Sequence, residues 1–320
     1  MKIVFEHNGI LPVLKYGGTE RIIYWLMKEL VKLGHQVTLI GSAESQVQSI
    51  GVKLIPRIDH EWTKLIPKDT DLVHTFYSHE GIEFPHLVTI EGNGQPGETF
   101  SENTVFVSRK HAEIHGSDQF VYNGIDLDEY PFIRTPRKSF QQFLFLAKAR
   151  WKVKNLKDCV RACKKNHKHL HIAGGREWTL SRYIHSYGMV EQSKKLPLMN
   201  QMDGLLWPVR WHEPFGIAVI EAFSQGLPVF SSGHGSLKEL VTPECGIVCE
   251  TYEEFEQALS GSENPFDARA IRNRLEQEFS TIVMTQKYLQ YYEKILSGEA
   301  LHKKRPAVIS PRSPEELLPF

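Results

Sequence analysis

A strand, a glycine turn, a helix and a second strand follow one another at the start of the chain. Lys2–Phe5 is a short β-rich run, and a loop that ends in Gly17-Gly18 follows it. Apolar residues then recur at close to helical period, and a second apolar run, Gln36–Ile40, comes directly after them. The two strands of such a unit lie parallel, because the helix carries the chain back across the sheet. The order therefore predicts an α/β fold with a parallel sheet.

The same alternation continues and then starts again after a stretch rich in Gly, Asp and Pro at residues 123–136. A chain of 320 residues is long enough for about two domains. We predict two Rossmann-like domains, residues 1–136 and 137–284, that face each other across a cleft. The segment from about 285 to 320 is expected to pack back on the first domain, and its prolines after Ser297 predict a loosely ordered tail. Further strands are predicted at Leu72–His74, Leu87–Ile90, Thr104–Ser108, Phe143–Ala147, Leu170–Ala173, Gly204–Pro208 and Pro228–Ser231, and the sequence also suggests a strand at Gln119–Tyr122. Helices are predicted at Leu156–Lys165, Gly216–Ser224 and Ala268–Leu296, and the last of these is expected to break near Ser280.

Composition and charge narrow the classes of function. No apolar run reaches the roughly 18 residues of a membrane span. The apolar run at the N-terminus is too short for a secretory signal, because polar residues follow it directly. Four cysteines are too few for a disulfide scaffold, so we expect a cytoplasmic protein. A net charge of zero argues against nucleic acid as a partner. Residues 1–140 carry a net charge of −4, which predicts at most peripheral membrane contact.

The most informative motif runs from Trp211 to Phe223 and contains Glu213, a Pro-Phe-Gly turn and Glu221. The turn opens a predicted helix, whose first amides can hold an anion. Two carboxylates around such a helix end suit a sugar nucleotide: one can hold the sugar hydroxyls and the other the ribose, while the amides take the diphosphate. An amphipathic helix with a capping and an exposed glutamate fits the same pattern.

Glu213 and Glu221, eight residues apart within His-Glu-Pro-Phe-Gly and Glu-Ala, resemble the family-four retaining glycosyltransferases of the GT-B fold, within glycosyl transferases group 1. The resemblance covers nearly the whole chain. It includes Tyr16-Gly17-Gly18-Thr19-Glu20-Arg21, Asn123-Gly124-Ile125-Asp126 and Gly226-Leu227-Pro228-Val229.

The resemblance implies a role for each matching residue. Glu213 would contact the transferred sugar and Lys154 would neutralise the diphosphate. The other residues that the resemblance places at the donor are Gly17, Gly18, Gly174, Val190, Phe215, Gly216, Ile217 and Glu221.

Two positions depart from the family pattern. The family carries an Arg five residues before the Lys, and here Lys148 or Arg150 would supply that charge, although the spacing of neither matches. The family often carries a His in the first-domain loop facing the sugar, and Glu91 stands there instead. We include Glu91 among the candidate catalytic residues.

Other motifs have plainer interpretations. Asp126-Leu127-Asp128 lies at the domain boundary, where a turn is favoured over a metal site, so we predict no bound metal. Gly92–Gly97 matches a dinucleotide fingerprint but lacks the helix that must follow it. Tyr77-Ser78-His79-Glu80 follows a first-domain strand and either faces the acceptor or forms an ordinary loop.

The expected activity is a metal-independent transfer, with retention, of a hexose from a nucleotide sugar to a hydroxyl acceptor. By family frequency the donor is expected to be UDP-linked, with no further cofactor. The acceptor is a glycan, a lipid-linked glycan or a small molecule. Two alternatives stay open: a sugar-nucleotide 2-epimerase on the same fold, and a non-catalytic module that binds sugar nucleotides.

Overall fold

A computed structural model describes residues 1–13, 17–133, 135, 137–310 and 312–320. The chain divides into two compact units. The first unit comprises residues 1–13, 17–125 and 280–313, and the second comprises the described residues of 126–279 and 314–320. The division falls after Ile125, before the predicted boundary at residue 136. The segment in between belongs to the second unit because Tyr130 and Pro131 are hydrogen-bonded to Glu221 and Gln225.

The first unit is built on a six-stranded sheet in which the described pairings are parallel, with the order β3-β2-β1-β4-β5-β6. This is the strand order of the doubly wound nucleotide-binding fold, in which the chain reverses direction between β1 and β4. Its elements are β1 (Lys2–His7), α1 (Gly18–Lys32), β2 (Gln36–Gly41), β3 (Lys53–Pro56), β4 (Leu72–Thr75), β5 (His86–Ile90), β6 (Thr104–Phe106), α2 (Arg109–Ile114) and, from the C-terminal segment, α9 (Thr281–Leu296).

The central strands of this sheet are buried on both faces, as expected when helices cover a parallel sheet, whereas the edge strand β3 is partly exposed. The four central residues of β1 and all four residues of β4 are buried. Helix α9 contacts α1 and β5, and its Tyr292 hydroxyl lies 2.7 Å from Nδ1 of the buried His74. The C-terminal helix is therefore part of the core of the first unit.

The second unit repeats this architecture with a parallel sheet in the order β12-β11-β10-β7-β8-β9. Counted from β7, the order is the same as in the first unit, so the predicted pair of Rossmann-like domains is confirmed. Its elements are β7 (Gln142–Leu146), α3 (Leu156–Lys165), β8 (His169–Ala173), β9 (Ile184–Gly188), α4 (Gln192–Met199), β10 (Gly204–Trp207), α5 (Ile217–Ser224), β11 (Val229–Ser232), α6 (Leu237–Leu240), β12 (Gly246–Cys249), α7 (Tyr252–Ala258) and α8 (Ala268–Glu278).

The predicted break near Ser280 is confirmed: α8 ends at Glu278, and the Ser280 hydroxyl accepts a hydrogen bond from the Val283 amide at the start of α9. The strand predicted at Gln119–Tyr122 is wrong, since this segment makes only an isolated bridge from Phe120 to Phe106.

The tail predicted to be loosely ordered is instead held by hydrogen bonds. The Phe100 amide donates to the Pro306 carbonyl, and the Val308 amide donates to the Glu98 carbonyl. Further along, Arg210 exchanges two hydrogen bonds with Leu318, which is buried. The prolines prevent a helix, but the backbone between them is available to pair with neighbouring segments.

All four cysteines are buried free thiols. Among the helices of the described residues, none is long and apolar enough to cross a membrane.

Candidate active site

The strand order of the second unit determines where a ligand site can form. Connections leave β7 and β10 in opposite directions, and ligands of such sheets bind at the carboxyl ends of the strands on either side of this reversal. Lys154 lies in the loop that follows β7, and Glu213 lies in the loop that follows β10. The topology therefore brings together two residues that are far apart in sequence.

Lys154 and Glu213 form a buried ion pair. Lys154 Nζ lies 2.6 Å from Glu213 Oε2, and each side chain is only 6% exposed. The Trp211 indole also donates to Glu213 Oε2, at 3.0 Å. Two residues that the resemblance assigned to different parts of the donor are thus in direct contact.

Three tryptophan rings surround the ammonium of Lys154. Lys154 Nζ lies 5.3 Å from the ring centroid of Trp151, 4.7 Å from that of Trp207 and 4.6 Å from that of Trp211. An indole face attracts a cation, most strongly where water is excluded. These rings compensate part of the hydration that the buried ammonium gives up.

Local hydrogen bonds fix the two loops against each other. The Arg210 amide donates to the Val153 carbonyl at 2.7 Å, and the Asn155 side chain donates to the Pro208 carbonyl at 2.9 Å. Asn155 itself adopts the left-handed conformation, which ends the turn carrying Lys154 and starts α3. The position of the ammonium is therefore set by the backbone of both loops.

Burial lowers the pKa of Lys154, and the carboxylate of Glu213 opposes that shift. A buried charge of this kind is costly unless it is paired, and removing either partner leaves the other uncompensated. The pair is a preorganised centre of positive and negative charge.

Helix α5 begins directly beside this pair. Gly216 precedes the helix with φ of 98°, a conformation that favours glycine, and Phe215 is buried. The Ser236 hydroxyl donates to the Phe215 carbonyl at 2.6 Å, and the Ser236 amide donates to the Glu213 carbonyl at 3.0 Å. First-turn amides such as that of Ile217 have no partner within a helix and can bind an anion.

Glu221 lies on α5 and is also paired. Lys195 Nζ and the Tyr130 hydroxyl each lie 2.5 Å from Glu221 Oε1, and all three residues are buried. The sequence analysis identified Glu221 but neither of its partners. The alternative in which Glu221 is an exposed surface glutamate is wrong.

The remaining predicted donor residues of the second unit lie around the ends of β7, β8 and β9. Lys148 and Arg150 are exposed in the loop after β7, whereas Lys154 is buried. A Cβ on Gly174, which has φ of 125°, would lie 1.9 Å from the Ala147 carbonyl oxygen, so this close approach requires glycine. Val190 is half-buried just after β9.

The predicted residues of the first unit occupy the corresponding edge of their own sheet. Gly17 and Gly18 begin α1, while Tyr16 of the same motif lies outside the described residues. Glu91 follows β5, and the Asn123 side chain donates to its Oε2 at 2.9 Å. The Oε1 atom of Glu91 is buried and has no hydrogen-bond partner among the residues that the structure describes.

The environment of Glu91 raises its pKa to about 7. Burial is the largest cause, the charge of Glu20 adds to it, and the hydrogen bond from Asn123 opposes it. A carboxyl with this pKa exchanges its proton near neutral pH, as an ordinary histidine does. Glu91 therefore changes from a neutral carboxyl to a carboxylate near neutral pH.

No group of three or more His, Cys, Asp or Glu side chains in the described part of the chain could hold a metal ion. Asp126 Oδ1 accepts from the Asp128 amide at 3.0 Å, which is the turn interaction that the sequence analysis favoured.

Comparison with known proteins relates part of the second unit to a known family. Residues 141–261 match the model of the glycosyl transferases group 1 family. We refer to the matched residues as the group 1 domain. The chain is also 25% identical over 220 residues to a glycogen synthase of Mycobacterium tuberculosis, covering 61% of this chain and 53% of that protein. It thus spans about half the length of this curated relative.

Solved glycosyltransferase structures share the fold across both units. AviGT4, involved in avilamycin A biosynthesis, has a TM-score of 0.76 at 20% identity and covers 93% of this chain and 98% of its own. HepE from Anabaena, solved with UDP and glucose, has a TM-score of 0.62 at 15% identity, and the match covers 92% of this chain and 99% of HepE. The catalytic domain of starch synthase IV from Arabidopsis thaliana, bound to ADP and acarbose, has a TM-score of 0.70 at 11% identity. The match covers 92% of this chain and 99% of that domain. The group 1 domain therefore lies within a GT-B fold.

Proposed function

We propose that this protein is a retaining glycosyltransferase that moves a hexose from a nucleotide sugar to a hydroxyl acceptor without a bound metal. The observation that carries the proposal is the buried Lys154–Glu213 pair at the start of α5, inside a group 1 domain. The relative and the neighbours named above support glycosyl transfer as the reaction class.

The departing nucleoside diphosphate gains negative charge as the bond to the sugar breaks. Lys154, which is buried, and the first-turn amides of α5 are proposed to stabilise that charge. Lys148 or Arg150, in the same loop, supplies the second positive charge. A lysine cannot form the bidentate hydrogen bonds that an arginine forms with a phosphate. The helix amides are therefore proposed to contribute part of the phosphate binding.

Glu213 is proposed to orient the transferred sugar. Since Lys154 and Trp211 fix one of its oxygens, its carboxylate is held in place before the donor binds. A nearby carboxylate gains attraction to the sugar as oxocarbenium character develops, so this contact strengthens in the transition state.

Glu221 is proposed to bind the ribose hydroxyls of the donor. Its contacts with Lys195 and Tyr130 set the orientation of the carboxylate. Glu91 is proposed as the catalytic group of the first unit, acting on the transferred sugar or the acceptor hydroxyl through its exchangeable proton.

A thermal-shift panel of UDP-, ADP- and GDP-linked hexoses tests the proposal first. A donor at 100 times its dissociation constant raises the unfolding free energy by ~2.7 kcal/mol. We expect one nucleotide series, UDP by the sequence resemblance, to stabilise the protein and to be hydrolysed slowly to free sugar and nucleoside diphosphate. No shift with any donor would overturn the proposal, conversion of UDP-GlcNAc to its 2-epimer would identify an epimerase, and binding without turnover with any acceptor would identify a binding module.

A further inference from the structure

Residues 314–320 return to the second unit after the segment before them has packed on the first. Residues 280–313 belong to the first unit, whereas Pro314–Phe320 belong to the second. These seven residues, the returning segment, form no helix and no strand. Individual contacts with the second unit therefore hold them in place.

The returning segment pairs with the loop after β10, which carries Glu213. The Leu318 amide donates to the Arg210 carbonyl at 2.8 Å, and Arg210 Nε donates to the Leu318 carbonyl at 2.7 Å. The Arg210 amide in turn donates to the carbonyl of Val153, the residue before Lys154. Arg210 thus connects the returning segment to both loops that form the Lys154–Glu213 pair.

The returning segment also contacts the loop after β11. His234 Nε2 donates to the Pro319 carbonyl at 2.9 Å. The next residue, Gly235, lies so close to Glu213 that a Cβ on it would collide with the amide nitrogen and the carbonyl oxygen of Glu213. The Ser236 amide donates to that same carbonyl. The loop that the segment contacts at His234 is therefore packed directly against the backbone of Glu213.

Two apolar side chains anchor the returning segment. Leu318 is only 6% exposed, and the ring centroid of Phe320 lies 5.8 Å from that of Phe255, a fully buried residue of α7. The neighbouring Leu317, by contrast, is 38% exposed. Removing apolar surface from water stabilises the docked segment, and the hydrogen bonds determine where it meets the two loops.

The order of these two loops affects how well the site binds a donor. A site that is ordered before its ligand arrives binds more tightly, because the entropy of ordering is not lost on binding. We infer that the returning segment is a positioning element of the donor site: it orders the loops after β10 and β11 and thereby raises the affinity for the nucleotide sugar. The inference rests on the proposed function. In it, Leu318 acts through Arg210 and Pro319 acts through His234.

Calorimetric titration of the full chain with UDP, ADP and GDP tests this inference. For the diphosphate that the parent binds, we expect Leu318→Ala to weaken the affinity about tenfold while the binding stoichiometry stays unchanged. A variant that only unfolds more easily would show the opposite: fewer binding sites with the parent affinity. Leu317→Ala is the matched control, since it makes the same change at the exposed neighbouring position, and it should bind within about twofold of the parent.

Deletion of residues 314–320 is a second variant and should weaken the affinity at least as much as Leu318→Ala. Hydrogen exchange of the backbone amides in residues 209–216 and 233–236 should be faster in both variants than in the parent and in Leu317→Ala. The inference is overturned if both variants bind within twofold of the parent, or if exchange in these loops is unchanged.

Donor hydrolysis measured on the same samples separates the two levels of the argument. A parent that binds a diphosphate as tightly as both variants do refutes only the positioning role. A parent that binds no diphosphate and hydrolyses no donor refutes the proposed function itself, while hydrogen exchange still decides whether the returning segment orders the loops.

Discussion

Replacing Glu91 with glutamine should stabilise the first unit at alkaline pH while lowering activity. The pKa of Glu91 is raised from 4.5 to about 7 because its carboxylate is buried and lies near Glu20. Each pKa unit corresponds to ~1.4 kcal/mol, so ionised Glu91 opposes folding by about 3 kcal/mol. A glutamine at this position would keep the shape of the side chain and can still accept from Asn123, but it carries no charge.

The sign of the pH dependence follows from proton uptake. Between about pH 4.5 and about pH 7, Glu91 is deprotonated in the unfolded chain but protonated in the folded one, so folding takes up a proton. The contribution of Glu91 to stability is therefore fully present below the unfolded pKa and is lost as the pH rises through 7. The free energy of unfolding of Glu91→Gln, relative to that of the parent, should therefore increase by about 2.5 kcal/mol between about pH 5 and about pH 8.

Denaturant unfolding of the parent and Glu91→Gln at both pH values measures this difference. In a thermal scan, it corresponds to roughly 5–10 °C for a unit of this size. Glu20→Gln should narrow the pH range over which folding takes up a proton, because it removes a charge that raises the pKa of Glu91. Glu44→Gln, at an exposed position of the first unit, is the control and should change stability by less than about 0.5 kcal/mol at either pH. A constant or negative difference for Glu91→Gln would refute the reasoning.

Four further predictions concern the proposed reaction. Glu213→Gln should lower kcat by ~100-fold and change KM less, in initial-rate measurements; a kcat within threefold of the parent would remove Glu213 from the mechanism. Glu221→Gln should raise the donor KM by roughly tenfold to a hundredfold, with donor affinity measured separately by calorimetry. Activity should persist in EDTA, and complete loss that manganese restores would contradict metal independence. The early product should keep the anomeric configuration of the donor in an NMR spectrum, and an inverted product would contradict a retaining mechanism.

The sequence predicted the parallel sheets well because their strands are buried, apolar and separated by glycine turns. It missed β9, Ile184–Gly188, because this edge strand is polar and half exposed, without an apolar run. It also missed α4, which carries Pro197 inside the helix and lacks a clear apolar face. Local patterns identify elements that are buried in a regular way and overlook those at the edge of a sheet.

The same limit applies to the candidate site. Glu213 and Glu221 lie in one continuous motif, which made them candidates and carried the family resemblance, although the pattern alone also fitted an amphipathic helix. The partners of Glu221, Lys195 and Tyr130, lie on distant segments and meet it only in the fold. Trp211 is the first residue of the same motif and Trp207 lies shortly before it, yet nothing in their spacing indicated that they lie around a cation.

The two buried ion pairs change what a single substitution at either glutamate measures. Removing the carboxylate of Glu221 takes this ion partner from the buried ammonium of Lys195, and breaking comparable buried pairs costs roughly 3–5 kcal/mol. A raised KM in Glu221→Gln would then combine a lost ribose contact with a weakened site. Lys195→Met combined with Glu221→Gln removes both charges, and well-packed neutral replacements of buried pairs are often tolerated. If the double variant recovers stability but not donor affinity, the carboxylate binds the donor directly. If it recovers both, Glu221 serves to neutralise Lys195, and its assignment to the ribose fails.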